Sequence, residues 1–158
     1  MIVLSDSGPL IALSKINHLD ILRKFFDKIT IPQAVWTEVV EKGAGRPGSK
    51  EVQEAGWIEV RKAKNIVGIE ALRHDIGQGE SETLILAKEL NADIVLIDDR
   101  IAREIARSMG LKVAGTLSII HEAIRNNWIN EDFEGIIGLM RKNNIWISDE
   151  LLNSFEKL

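Results

Sequence analysis

The chain has 158 residues, 45% apolar and 28% charged, the length and balance of one globular domain (1–158) able to bury a core without staples. With no cysteine and three histidines (His18, His74, His121), none in HExxH spacing, it excludes disulfides, thiolate metal sites and a cysteine nucleophile, and it leaves a histidine-built zinc site unsupported. A net charge of −4 disfavours a high-affinity, non-specific nucleic-acid binder, and with neither a long apolar run nor a basic leader the expectation is a soluble cytoplasmic protein with no membrane partner.

Ile2–Asp6 reads as a short buried strand ending at the turn signal Ser7-Gly8-Pro9. Leu10–Ile16 follows as a helix, broken at Asn17-His18. Leu19–Phe26 then sets Leu19, Leu22, Phe25 and Phe26 on one helical face. Ile29–Ile31 is a second strand, and Pro32 suits the first turn of a helix running through Val40. Residues 43–49, with three glycines and a proline, form a loop. Ser49 reads as the N-cap of a short helix ending near Gly56, and Trp57–Val60 as an edge strand. Gly77-Gln78-Gly79 opens a long helix, Glu80–Leu90. Ile94–Ile97 is the most strand-like segment, and Asp98-Asp99 starts a helix to Met109 that Gly110 stops. Lys112–Ala114 is a strand, Leu117–Asn126 a helix, and Asp132–Lys142 and Ser148–Phe155 two more helices, the last capped by Ser148. Short all-apolar strands alternating with helices predict an α/β protein with a parallel sheet covered on both faces. Ligands of such sheets bind at the carboxyl ends of the strands.

The placement of the acids carries more than their number. Asp6 ends the first strand; Asp98 and Asp99 end the strand IVLI. Glu38 shares a helix face with Ala34 and Val35, so it is expected to border the core. Glu80 and Glu82 begin the helix after Gly77-Gln78-Gly79, about 200° apart on an ideal helix, so spacing does not choose between them. A carboxylate ending a buried strand is costly without a partner. Clustered carboxylates raise one another's pKa unless a cation sits among them, and oxygen ligands alone select hard ions, Mg²⁺ or Mn²⁺. Setting these six acids apart leaves 18 acids against 20 bases, which softens the objection from net charge. Such a site suits phosphodiester hydrolysis without a protein nucleophile.

These residues, taken together and in order, resemble a PIN domain, with most similarity to the prokaryotic DUF3368 family, relatives of VapC toxins. The resemblance rests on Asp6-Ser7-Gly8-Pro9-Leu10-Ile11, residues 32–39 (PQAVWTEV), 79–87 (GESETLILA) and 97–103 (IDDRIAR), then Gly115-Thr116-Leu117 and Ile147-Ser148-Asp149. It implies a three-layer α/β/α sandwich and a Mg²⁺- or Mn²⁺-dependent ribonuclease. It further implies metal ligands at Asp6, Glu38, Glu82 and Asp99, with Asp98 beside Asp99 and Glu80 on the Gly-Glu step of this subfamily. Asp6, Glu38, Glu82 and Asp99 form its catalytic set, and Ser7 helps to hold metal or phosphate. RNA is then the substrate, and an antitoxin protein and a homodimer the expected partners. Arg100 and Arg103, just past the paired aspartates, and Arg46 and Lys50, flanking the Gly-rich loop, are candidates for the RNA backbone, with solvated surface charge or pairing to Glu104 the simpler alternative. The tryptophans Trp36, Trp57, Trp128 and Trp146 are read as core or interface, and His74 with Asp75 as a surface pair. Two other readings stand beside the nuclease: a non-catalytic RNA- or protein-binding module, and a phospho-receiver. The latter lacks a basic residue after the last strand, where Gly115-Thr116 stands.

Overall fold

Five parallel strands form one sheet in the computed structural model, which describes residues 1–156. They are β1 (Val3–Ser5), β2 (Ile29–Pro32), β3 (Ile58–Arg61), β4 (Ile94–Leu96) and β5 (Val113–Ala114), in the spatial order β3-β2-β1-β4-β5. The chain steps outward from β1 to β3, then crosses to the other side of β1 to lay down β4 and β5. This reversal opens a crevice between the carboxyl ends of β1 and β4, the place where open α/β sheets bind ligands. The register sets Ser5 beside Leu96, and the Asp6 N–H donates to the Leu96 carbonyl at 2.9 Å. The acids that follow the two strands therefore leave the sheet side by side.

Alternating strand residues feed two cores, one on each face. Val3, Ile29, Ile31 and Leu96 pack with Leu10 and Leu13 of α1 (Ser7–Lys15), Val52 of α4 (Ser49–Glu54), Ile120 of α8 (Thr116–Arg125) and Ile136 of α9 (Phe133–Lys142). Leu4, Val95 and Ile97 pack on the opposite side with Ile69 of α5 (Ile66–Leu72), Leu84 and Leu86 of α6 (Gln78–Glu89), and Ala102 and Ala106 of α7 (Arg100–Ser108). The result is the expected three-layer α/β/α sandwich. Three short helices complete it: α2 (Ile21–Phe26), α3 (Gln33–Trp36) and α10 (Asp149–Glu156). Trp36, Trp57 and Trp128 are packed against the first core, while Trp146 is exposed.

Several local expectations are corrected. Ser7-Gly8-Pro9 is not a turn but the first turn of α1, because Asp6 takes the extended N-cap conformation and Pro9 sits where a helix leaves its N–H unpaired. The helix expected from Pro32 to Val40 does not run evenly: α3 passes at Thr37 into a π turn, Thr37–Glu41. The cap of α4 is Gly48, at φ 99°, whose N–H donates to Glu51 at 2.6 Å; Ser49 instead gives its hydroxyl to the Val40 carbonyl at 2.9 Å. Helix α5, capped by Asn65 through the Gly68 N–H at 3.0 Å, was not expected at all. Strand β3 lies at the sheet edge as expected, and Ser148 caps α10 through the Leu151 N–H.

Candidate active site

Asp6 leaves β1 at the crevice and is 5% exposed, with Oδ1 buried and without a hydrogen-bond partner. Burial pushes its carboxyl up to about 7; the Ser7 backbone N–H opposes this, and Glu80, Glu38 and Asp98 push in the same direction as burial. An orphaned carboxylate oxygen facing three further acids is a costly arrangement, and it is relieved by a proton or a cation.

The other acids arrive from three directions. Glu38 stands on the π turn, and its Oε2 accepts the Ser7 hydroxyl at 3.0 Å. It is exposed to the cleft rather than bordering the core, as the even helix had suggested, while Val35 and Val39 take the buried side. Such π turns recur at functional sites because they re-aim a side chain without ending the helix. Glu80, in the first turn of α6, accepts the Gly77 N–H at 3.2 Å, and its carboxyl is also held up, by burial first and then by Asp99 and Glu38. Gly79 lies between them. A Cβ there would stand 3.1 Å from Glu38 Oε2 and 3.4 Å from Asp6 Oδ1, so a methyl group would fill the space that the two carboxylates face.

Asp98 and Asp99 diverge after β4. Asp98 accepts two hydrogen bonds from Thr116, from the N–H at 2.7 Å and from the hydroxyl at 2.6 Å, and it remains near enough to Asp6 to raise its pKa. Asp99 caps α7 by accepting the Ala102 N–H at 2.9 Å, with its charge felt at Glu80. Glu82 lines the same cleft, but its carboxylate is turned to the start of α3, where it accepts the Ala34 N–H at 3.2 Å, and to the side chain of Gln78. Arg103 reaches back over the sheet, its Nη1 donating to the Ile97 carbonyl at 3.4 Å, whereas Arg100 is exposed and 3.9 Å from Glu104. His74 and Asp75 form the expected surface pair at 3.2 Å.

Asp6, Glu38, Glu80 and Glu82 border an open cleft of about 620 Å³, with Ser7, Thr37 and Lys42 on its walls. Among the described residues, no three acids or histidines are set closely enough, as they stand, to hold a metal ion together. Most of the acids are held by a hydrogen bond of their own, which keeps like charges apart; Asp6 Oδ1 is the exception. The residues nevertheless fit a hard divalent cation: the donors are all oxygens, one buried oxygen is unpartnered, and glycine leaves the space in front of it free. Sequence reasoning assigned no role to Thr116 or Gln78. The position of Thr116 directly after Gly115, at the start of a helix following a strand, was the one available signal.

A family model for the PIN domain, DUF3368, matches residues 2–158. The chain belongs to this PIN-domain family. PIN domains are generally nucleases and typically use divalent metal ions. The fold of this PIN domain is similar to that of a PilT N-terminus domain protein from the hyperthermophilic archaeon Sulfolobus solfataricus P2, at 16% identity and a TM-score of 0.55 over 78% of this chain and 93% of that one. No curated protein matches the chain. No helix among the described residues is long and apolar enough to cross a membrane.

Proposed function

We propose that this PIN domain is a metal-dependent ribonuclease that hydrolyses RNA phosphodiester bonds, with residues 1–158 acting as one domain. Its ion, Mg²⁺ or Mn²⁺, would be held by Asp6, Glu38 and Glu80, with Asp98 and Asp99 completing the site and Glu82 on its outer wall. The observation that carries the reading is the buried, unpartnered Oδ1 of Asp6 at the carboxyl end of β1, faced by Glu38, Glu80 and Asp98. A divalent cation supplies neutralisation of the scissile phosphate, a more acidic attacking water and a stabilised leaving oxygen.

The chain's own residues supply position. The Ser7 hydroxyl orients Glu38, the Gly77 N–H orients Glu80, and Thr116 fixes Asp98. Lys42 on the cleft wall, with Arg100 and Arg103 beyond the aspartates, offers positive charge to an RNA backbone that the acids would otherwise repel. A role as the toxin of a toxin–antitoxin pair, acting as a homodimer in the cytoplasm, is supported by the resemblance to VapC relatives. Cleavage of a labelled single-stranded RNA with Mn²⁺ tests the reading. The wild type should cleave and lose activity with a chelator, and identically purified Asp6→Asn should be inactive. Equal activity in both proteins would refute it.

One observation favours a second reading, a non-catalytic RNA- or protein-binding module: among the described residues no three acids or histidines are grouped closely enough to hold a metal ion. That reading predicts RNA binding without metal and without cleavage.

A further inference from the structure

A second cleft, of about 870 Å³, opens at the far end of α1. Lys15 at the end of that helix, and Arg46 and Lys50 on either side of the residue 47–49 segment, line it, and none of the three joins an ion pair among the described residues. Two acids line it as well. Glu51 is engaged by the Gly48 N–H at 2.6 Å, which leaves Glu41 as the free carboxylate against three cations.

Ser14 forms part of the wall. It is 5% exposed, and its hydroxyl is buried with no hydrogen-bond partner. Other buried hydroxyls here find acceptors: Ser81 and Thr83 donate to carbonyls four residues back at 2.7 Å, and Ser49 to Val40 at 2.9 Å. Ser14 is helical and has the same option, yet does not use it. A donor without an acceptor, in the wall of a cleft that three unpaired cations also line, is suited to an anionic oxygen.

The two clefts share walls. Ser7 lines the first and Ser14 the second, seven residues apart on one helix, or about 10 Å at ~1.5 Å per residue. Glu38 and Lys42 face the first cleft, and Val40 and Glu41 the second. Gly48 sits tightly against both elements, its Cβ position 3.6 Å from Ile11 and 3.5 Å from Val39.

We propose that this second cleft is a phosphate subsite for the RNA strand, binding its backbone a few nucleotides from the bond held at the carboxylates. The proposal rests on the nuclease reading for its second end and on the Ser14 cleft for its first.

The test is fluorescence anisotropy with a labelled ten-nucleotide single-stranded RNA, in an Asp6→Asn background so that the probe stays intact. Arg46→Ala and Lys50→Ala should each weaken binding about three- to tenfold and reduce the slope of log affinity against log salt by about 0.7 per cation removed. Ser14→Ala should weaken binding a fewfold without altering the slope. A labelled dinucleotide should bind all variants equally. Lys112→Ala, at an exposed lysine before β5, is the control for lost charge. Unchanged decamer binding in Arg46→Ala and Lys50→Ala, an equal loss in Lys112→Ala, or no decamer binding at all would overturn the proposal. Loss of affinity for poly-glutamate alone would overturn it in favour of an acidic protein partner. The two readings fail separately. Absent cleavage with normal Arg46- and Lys50-dependent RNA binding removes the nuclease and keeps the subsite, and active cleavage with unaffected variants does the reverse.

Discussion

Both carboxylate oxygens of Asp98 accept from Thr116, Oδ1 from its N–H at 2.7 Å and Oδ2 from its hydroxyl at 2.6 Å. An acid that ends β4 is thereby fixed by the helix that follows the neighbouring strand β5. The site depends on the pairing of these two strands as well as on the residues themselves.

Thr116→Val keeps the shape of the side chain and removes one of those bonds. It should cost about 1 kcal/mol in urea unfolding, at the low end for a charged acceptor because Asp98 is exposed. Thr116→Ser, which retains the hydroxyl, should stay near wild type. A Val variant as stable as wild type would mean that the amide alone holds Asp98.

Asp6 makes stability depend on pH. Its folded carboxyl is raised from 3.8 to about 7, so between these values the native protein binds more protons than the unfolded chain. Stability without metal therefore falls as pH rises from 4 through 7, by on the order of 4 kcal/mol. Asp6→Asn should flatten that fall and leave the metal-free protein more stable than wild type at pH 8. Thermal melts at pH 5 and 8 check this, and a wild type that gains stability over the same range would contradict it. Because a cation competes with the proton, Mn²⁺ should stabilise the wild type more at pH 8 than at pH 6.

Gly79→Ala places a methyl group between Glu38 and Asp6, where the Cβ would meet carboxylate oxygens at 3.1 and 3.4 Å. Alanine is intrinsically the better helix residue by roughly 0.5–1 kcal/mol, so stability should change little. Mn²⁺ binding and RNA cleavage should each fall at least tenfold. Full cleavage activity in this variant would place the reacting centre elsewhere.

Glu80 and Glu82 should separate by measurement. Glu80 faces Asp6 and Glu38, whereas the Glu82 carboxylate is taken up by Ala34 and Gln78. Glu80→Gln is expected to weaken Mn²⁺ binding more than tenfold. Glu82→Gln should weaken it less than threefold, its carbonyl still accepting the Ala34 N–H while the contact with Gln78 is lost. The reverse order in calorimetric titrations would make Glu82 the nearer ligand.

The strands and their acids were legible because a buried parallel strand is an apolar run, and a carboxylate directly after such a run has little reason to be there without a partner. Asp6, Asp98 and Asp99 could be read that way. Strand order could not, and it alone brings β1 beside β4. The aim of Glu38 was hidden for a different reason: a π turn is a backbone register change with no composition signal, and on an even helix Glu38 would flank Val35. Glu80 and Glu82 differ through hydrogen bonds to Gly77 and Ala34, residues that helix spacing does not bring into the comparison. Helix α5 escaped notice because it is short, contains Gly68 and leaves Ile66 and Val67 exposed, so it shows no amphipathic period. The Ser7-Gly8-Pro9 segment was misread because proline is equally at home in a turn and in the first turn of a helix.

A calorimetric titration of the metal-free protein with Mn²⁺ at pH 8, for wild type and for folded Asp6→Asn, tests the carboxylate cluster most directly. Saturable binding by the wild type, weakened at least tenfold in the variant, is the expected result. No heat of binding at millimolar Mn²⁺, or equal binding by both proteins, would contradict the assignment of Asp6 and its neighbours as a metal centre.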